Sequence, residues 1–109
     1  MRLIEVGGVP GTTTKVTASD TAASLADAVK YKDGDSTNNA SDNKALSVVI
    51  SVETHSIRYA FNATPTTALG HIAYPGDIIA LRSWEQVNTF KYINETTSSN
   101  AVIQVTSNF

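Results

Sequence analysis

Apolar side chains return at every second position along the second half of the chain. Leu46, Val48, Ile50 and Val52 alternate with Ser47, Val49, Ser51 and Glu53. Ile57, Tyr59 and Phe61 alternate with Arg58 and Ala60, and Ala101, Ile103 and Val105 with Val102, Gln104 and Thr106. Strict alternation places one set of side chains on one face of a pleated strand, so each stretch reads as a half-buried strand. Val49 breaks the polar face of the first stretch, which implies that this face is partly covered too. Ile78 to Arg82 reads as a strand with Ile79 and Leu81 inward. Val87 to Asn94 reads as another, with Phe90 and Tyr92 on one face and Lys91 and Ile93 on the other. Thr54-His55-Ser56 is a tight connection, and the strands on either side of it are expected to form a hairpin. Pro75 and Gly76 in Tyr74-Pro75-Gly76-Asp77 suit a type II turn, because glycine accepts the positive φ of the third position. Trp84 falls in the connection that follows.

The first half is smaller and more polar. Leu3 to Val6 has the pattern of a short strand, ended by the punctuation of Gly7-Gly8-Val9-Pro10-Gly11. Thr13 to Ala18 alternates again, with Thr14, Val16 and Ala18 on one face. Residues 20–30 admit two readings: a short helix or turn burying Ala22, Leu25, Ala26 and Val29, which is preferred, or a strand with Leu25 and Val29 inward. Asp33 to Asn43 holds no large apolar side chain and is expected to be a long exposed loop, mobile unless a partner orders it.

Short strands at such spacing specify an all-β chain, a small antiparallel β-sandwich or barrel with an extended, loop-rich N-terminal half. The expected division is residues 1–45, extended and loop-rich, and residues 46–109, the β core. Composition supports this class. Val and Ile outnumber Leu by 18 to 5 in the 109 residues, and β-branched side chains favour strands over helices. A net charge of −2 gives no positive field for nucleic acid. Cysteine is absent, which excludes disulfides and thiolate metal sites. Apolar runs are far shorter than the roughly 20 residues of a membrane helix. Met1-Arg2-Leu3-Ile4-Glu5 meets an acid at once, so no secretory signal is expected.

Candidate chemistry is sparse. His55 and His71 each stand without a second ligand at helical or strand spacing. Asp33-Gly34-Asp35 with Asn38 resembles part of a calcium loop, but the position where a bidentate Glu belongs is Lys44. The glycines before Thr12 lack the lysine and the helix of a phosphate cradle. Glu53 and Asp77 read as strand-edge charges, available to Arg58 or Arg82. No acid–base or nucleophile set can be assembled, so catalysis, cofactor and metal are not expected. The candidate contact residues are Val49 and Ile93 on outer strand faces, Trp84 beside a turn, Phe90 and Tyr92 as core or interface anchors, and Phe109 at the chain end.

From Val48 to Thr106 the chain carries Ile57-Arg58-Tyr59, Thr64-Pro65-Thr66, Gly70-His71, Pro75-Gly76-Asp77, Phe90-Lys91-Tyr92-Ile93 and Ala101 to Thr106 in that order. This string resembles small virion accessory proteins of tailed bacteriophages, the decoration or cement proteins of capsids. The resemblance implies a homo-oligomer, a trimer by preference, with residues 1–45 in contact with other copies or with the capsid. It would bind the major capsid protein on the outside of the shell and stabilise it without turnover, on the virion and away from nucleic acid and membrane. A tail, fibre or head–tail component that binds carbohydrate or a receptor through exposed aromatics is the alternative.

Overall fold

A computed structural model describes residues 9–109. The strand expected at Leu3–Val6 lies outside them. Strand β1 spans Pro10–Thr17, β2 Ala23–Ser24, β3 Ser47–Glu53, β4 Ile57–Phe61, β5 His71–Ala73, β6 Ile78–Leu81, β7 Phe90–Asn94 and β8 Val102–Asn108. Two short helices, α1 at Asp27–Lys30 and α2 at Trp84–Thr89, and a 3-10 turn at Ser41–Asn43 lie between them. The strands form two four-stranded antiparallel sheets, ordered β1-β8-β3-β6 and β2-β7-β4-β5. The fold is an all-β sandwich and not a closed barrel.

Register explains which residues meet. Val48, Ile50 and Val52 pair with Ser107, Val105 and Ile103 of β8, and Val48 and Ile50 also with Leu81 and Ile79 of β6. Paired residues share a face, so the first sheet turns one continuous aliphatic surface inward. The second sheet answers with Ile57, Ala73, Phe90 and Tyr92. Val87 of α2 joins the same cluster, as do Ala18, Leu25, Val29 and Ala45. The first half of the chain is therefore part of the core. It gives an edge strand to each sheet, and no separate core ends at residue 45. Pro10 and Gly11 are inside β1, at a register irregularity that falls between Pro10 and Thr13.

Every connection except β4 to β5 carries the chain from one sheet to the other. The expected hairpin between β3 and β4 is one such crossing. Both flanks of β3 are already occupied, by β6 and β8, so β4 pairs with β5 and β7 instead. Thr54 turns the corner at φ 66°, with its hydroxyl donating to Glu53 O and accepting from Val102 N. Leu46 lies before β3 on the surface and does not continue the inward row.

Residues 20–30 satisfy both readings in part, a two-residue strand followed by one helical turn, with Leu25 and Val29 buried. The expected strand from Val87 begins only at Phe90. Ser83 caps α2 by accepting from Gln86 N at 3.3 Å, and the Gln86 side chain accepts from Arg82 N at 2.7 Å. Ser83-Trp84-Glu85-Gln86 is thus a variant of the capping box, and it overrides the strand pattern for one turn.

The loop after α1 carries its own order. Asp33 Oδ1 accepts from Asp35 N at 2.8 Å, and Asp35 Oδ1 accepts from Thr37 N at 2.9 Å. Buried Asn43 accepts from Asp33 N and donates to the carbonyls of Asp35 and Asn38. A second buried amide, Asn94, donates to Asp20 Oδ1 at 3.0 Å and Asn100 Oδ1 at 2.8 Å and accepts from Ala101 N at 3.1 Å. It ties the β1–β2 connection to the β7–β8 connection with both amide hydrogens and its oxygen engaged.

Leu25→Ala is expected to cost about 2–5 kcal/mol and Phe90→Ala about 3–5 kcal/mol in urea unfolding, each through a single transition. Equal cooperativity in the two variants is the signature of one core. A Leu25→Ala protein that keeps wild-type stability would contradict it.

Candidate interaction surface

The six contact residues expected from sequence scatter over the molecule. Phe90 and Tyr92 are interior, on the inner face of β7. Their rings join Tyr59 and Phe61 in an aromatic cluster: Tyr59 stacks on Phe90 at 5.5 Å, Phe61 meets Phe90 edge-on at 5.9 Å, and Tyr92 is 6.0 Å from Phe90. Neither is open to a partner in this fold. Ile93 does face outward from β7, but only 8 % of it is exposed. Trp84 is half-buried, edge-on to Tyr31 at 5.2 Å, with the Lys44 ammonium 5.5 Å over its ring. It pins the end of the Asp33–Asn43 loop to α2. Phe109 packs on the core beside Gly11. Val49 remains half-exposed on the outer face of the first sheet, as its place in the alternation implied.

Trp84, Tyr74, Phe90 and Tyr92 therefore form no shared aromatic platform for carbohydrate. Tyr74 alone is fully on the surface.

A different apolar site is present. Ala60, Phe61, Ala63, Leu69, Gly70 and His71 line an open groove of about 460 Å³. Phe61 is 37 % and Leu69 52 % exposed. Local chemistry holds this groove open. Asn62 ends β4 at φ 57°, a left-handed conformation that asparagine tolerates. Thr66 Oγ1 accepts from the backbone N–H of Ala68 and Leu69, and Thr66 N donates to Leu69 O at 3.0 Å. Leu69 is thereby fixed with its side chain outward. Gly70 has φ 126°, and a Cβ there would lie 2.9 Å from Tyr59 O, so only glycine lets the loop return so close to β4. Arg58 Nη1 donates to Gly70 O at 2.9 Å and fastens the return, while its Nε is buried without a hydrogen-bond partner among the described residues. Phe61 lies on the inner face of β4 opposite Phe90, as its alternation implied, with part of its ring exposed at the strand end; sequence reading passed over Leu69. A large aliphatic side chain among Thr, Pro and Ala in a loop was the available signal.

His71 borders the groove, its ring 5.5 Å from Tyr59, and His55 is exposed in the corner after β3. Among the described residues no three His, Asp or Glu side chains gather as metal ligands. Two oxygens of the calcium-like loop, Asp33 Oδ1 and Asp35 Oδ1, are already spent on the loop's own backbone N–H groups. Asp77 accepts from Tyr74 N at 2.8 Å, closing the expected turn, in which Gly76 has φ 94°. No helix among the described residues is long and apolar enough to cross a membrane. Comparison with protein-family models, curated proteins and solved structures gives no match to this chain.

Hydrogen bonds hold two carboxyls below their usual value of 3.8, Asp20 through the Asn94 side chain and Ser98 N, and Asp33 through the Asn38 side chain and Asp35 N. A lowered folded pKa adds stability that is present above the unfolded value and lost as pH falls through the folded one. The melting temperature should therefore drop on acidification below about pH 4, and Asp20→Asn should flatten that drop. Parallel wild-type and variant curves would remove Asp20 as a cause.

Proposed function

We propose that this chain is a structural protein of a tailed-phage virion, of the decoration or cement kind. It binds the outside of the major capsid protein shell, reinforces the contacts between capsid subunits, and works without turnover. The observation that carries the reading is the groove of Phe61 and Leu69. Leu69 is presented to solvent by a loop stiffened with hydrogen bonds, and Phe61, at the end of β4, keeps part of its ring exposed beside it, at a cost in exposed apolar surface that folding alone does not require. Preorganised apolar anchors of this kind lose little entropy on docking, which suits a protein–protein contact. The resemblance of residues 48–106 to phage accessory proteins supplies the partner class, and it favours a trimer. On a shell each copy repeats at many sites, so a modest single contact suffices when copies are linked.

The test uses shells assembled from the major capsid protein encoded nearest this gene. Wild-type protein should cosediment with them, and Phe61→Ser with Leu69→Ser should lose about 2 kcal/mol or more of affinity per site with an unchanged circular dichroism spectrum. Failure of the wild type to bind, together with specific retention on a glycan array, would favour the tail, fibre or head–tail reading instead.

A further inference from the structure

Two cations without counter-ions border the Phe61–Leu69 groove. Arg58 is on the outer face of β4, flanked in register by Ile93 of β7 and Ile72 of β5. Ala60, two residues on and on the same face, walls the groove and lies directly across from Lys91 of β7. Neither Arg58 nor Lys91 makes an ion pair among the described residues. The acids that sequence offered to Arg58 are engaged elsewhere: Asp77 closes its own turn, and Glu53 is on the first sheet. Glu95 lies past the end of β7 away from the groove, where its carboxylate accepts from the Thr96 hydroxyl. Glu85, in the first turn of α2, pairs with neither cation. No carboxylate lines the groove itself.

The loop of residues 62–70 folds back over this face. Pro65 is fully buried, Gly70 lies against Arg58 and Pro65, and Arg58 Nη1 donates to Gly70 O. Nε is enclosed without a hydrogen-bond partner, whereas Nη2 is neither enclosed nor bonded among the described residues. The guanidinium thus gives up part of its hydration and receives one neutral carbonyl in return. A charge so desolvated, with no opposite charge beside it, is costly, and an anion at its open end offsets that cost. Nη2 and the second Nη1 hydrogen form one end of the fork that holds a carboxylate by two parallel bonds. Along β4, Arg58 and Ala60 are about 7 Å apart, and Lys91 is about 5 Å across from Ala60. One or two residues of a docked chain span either distance.

We propose that the segment docking in the Phe61–Leu69 groove is acidic. Its apolar side chain lies between Phe61 and Leu69, and a carboxylate one or two residues away takes the open end of Arg58, with Lys91 adding a second positive charge. The occupant is a stretch of the partner protein in which Asp or Glu borders a large apolar residue. Charge complementarity selects it, and the selection is local, because the chain as a whole carries a net charge of −2. This inference rests on the groove as the docking site, and it takes from the virion reading only that the partner is a capsid protein.

Two synthetic peptides test it, acetyl-Gly-Asp-Phe-Glu-Gly-amide and its uncharged counterpart acetyl-Gly-Asn-Phe-Gln-Gly-amide. Each is titrated into the isotope-labelled full chain at low salt, up to millimolar concentration, and followed by NMR. The acidic peptide should shift the amide signals of Leu69, Gly70 and His71 and bind about tenfold more tightly than the neutral one. Added salt should erase that preference, because exposed charges are screened. Lys91→Glu should reduce it severalfold, and Arg58→Gln should do the same. Lys15→Glu, the same change of charge on the first sheet, should leave it intact. Arg58 also fastens the loop, so Lys91→Glu is the decisive variant. Equal binding of the two peptides, shifts away from the groove, a Lys91→Glu protein with the wild-type preference, or a Lys15→Glu protein that loses as much would each overturn the proposal. Shells that do not bind the wild type would sink the virion reading, and the peptide pair would still decide this one.

Discussion

Apolar contact across the core is what holds the two sheets of the sandwich face to face. Backbone hydrogen bonds run within each sheet, and the connections only limit how far the sheets can part. The structure thus depends on burying Val48, Ile50, Leu81, Ile103 and Val105 of one sheet against Ile57, Phe90 and Tyr92 of the other. The crossings make this burial cooperative. Because almost every connection changes sheet, neither sheet can be completed before the other. Even the short β2 matters in this scheme, since it follows β1 of the first sheet and delivers Leu25 to the core.

The class of fold was legible in the alternation of Val48, Ile50 and Val52, of Ile57 and Tyr59, and of Ile103 and Val105. Alternation reports that a residue faces inward, and it is silent about which sheet it faces in from. The β3–β4 corner shows the consequence: the two inward rows look the same whether the strands pair or oppose each other. The split at residue 45 failed for a related reason. Small residues such as Ala18 and Ala45 leave little apolar signal, yet they are among the most buried positions in the chain. The Asp33–Asn43 loop was correctly placed outside the strands. Its internal hydrogen bonds depend on Asn43 folding back to Asp33, and spacing does not announce that.

Surface function was harder to read than the core. Large aromatics serve equally as interior filling and as contact anchors, and Phe90 and Tyr92 went to the interior. Leu69 went outward because Thr66 and Gly70 shape its loop, a local effect with no periodic trace. Val49 lies half-exposed on the outer face of the first sheet, on the side where the alternation put it. The surface feature that results is a small apolar groove beside β4, lined by Phe61 and Leu69.

The most direct measurement is hydrogen–deuterium exchange on the chain, free and bound to capsid shells. The core amides of β3, β8, β4 and β7 should exchange slowly and equally in both states, and new protection should be confined to the segment from Phe61 to His71. Binding that left this segment unprotected, or that changed exchange through the core strands, would contradict a rigid module docking by its groove.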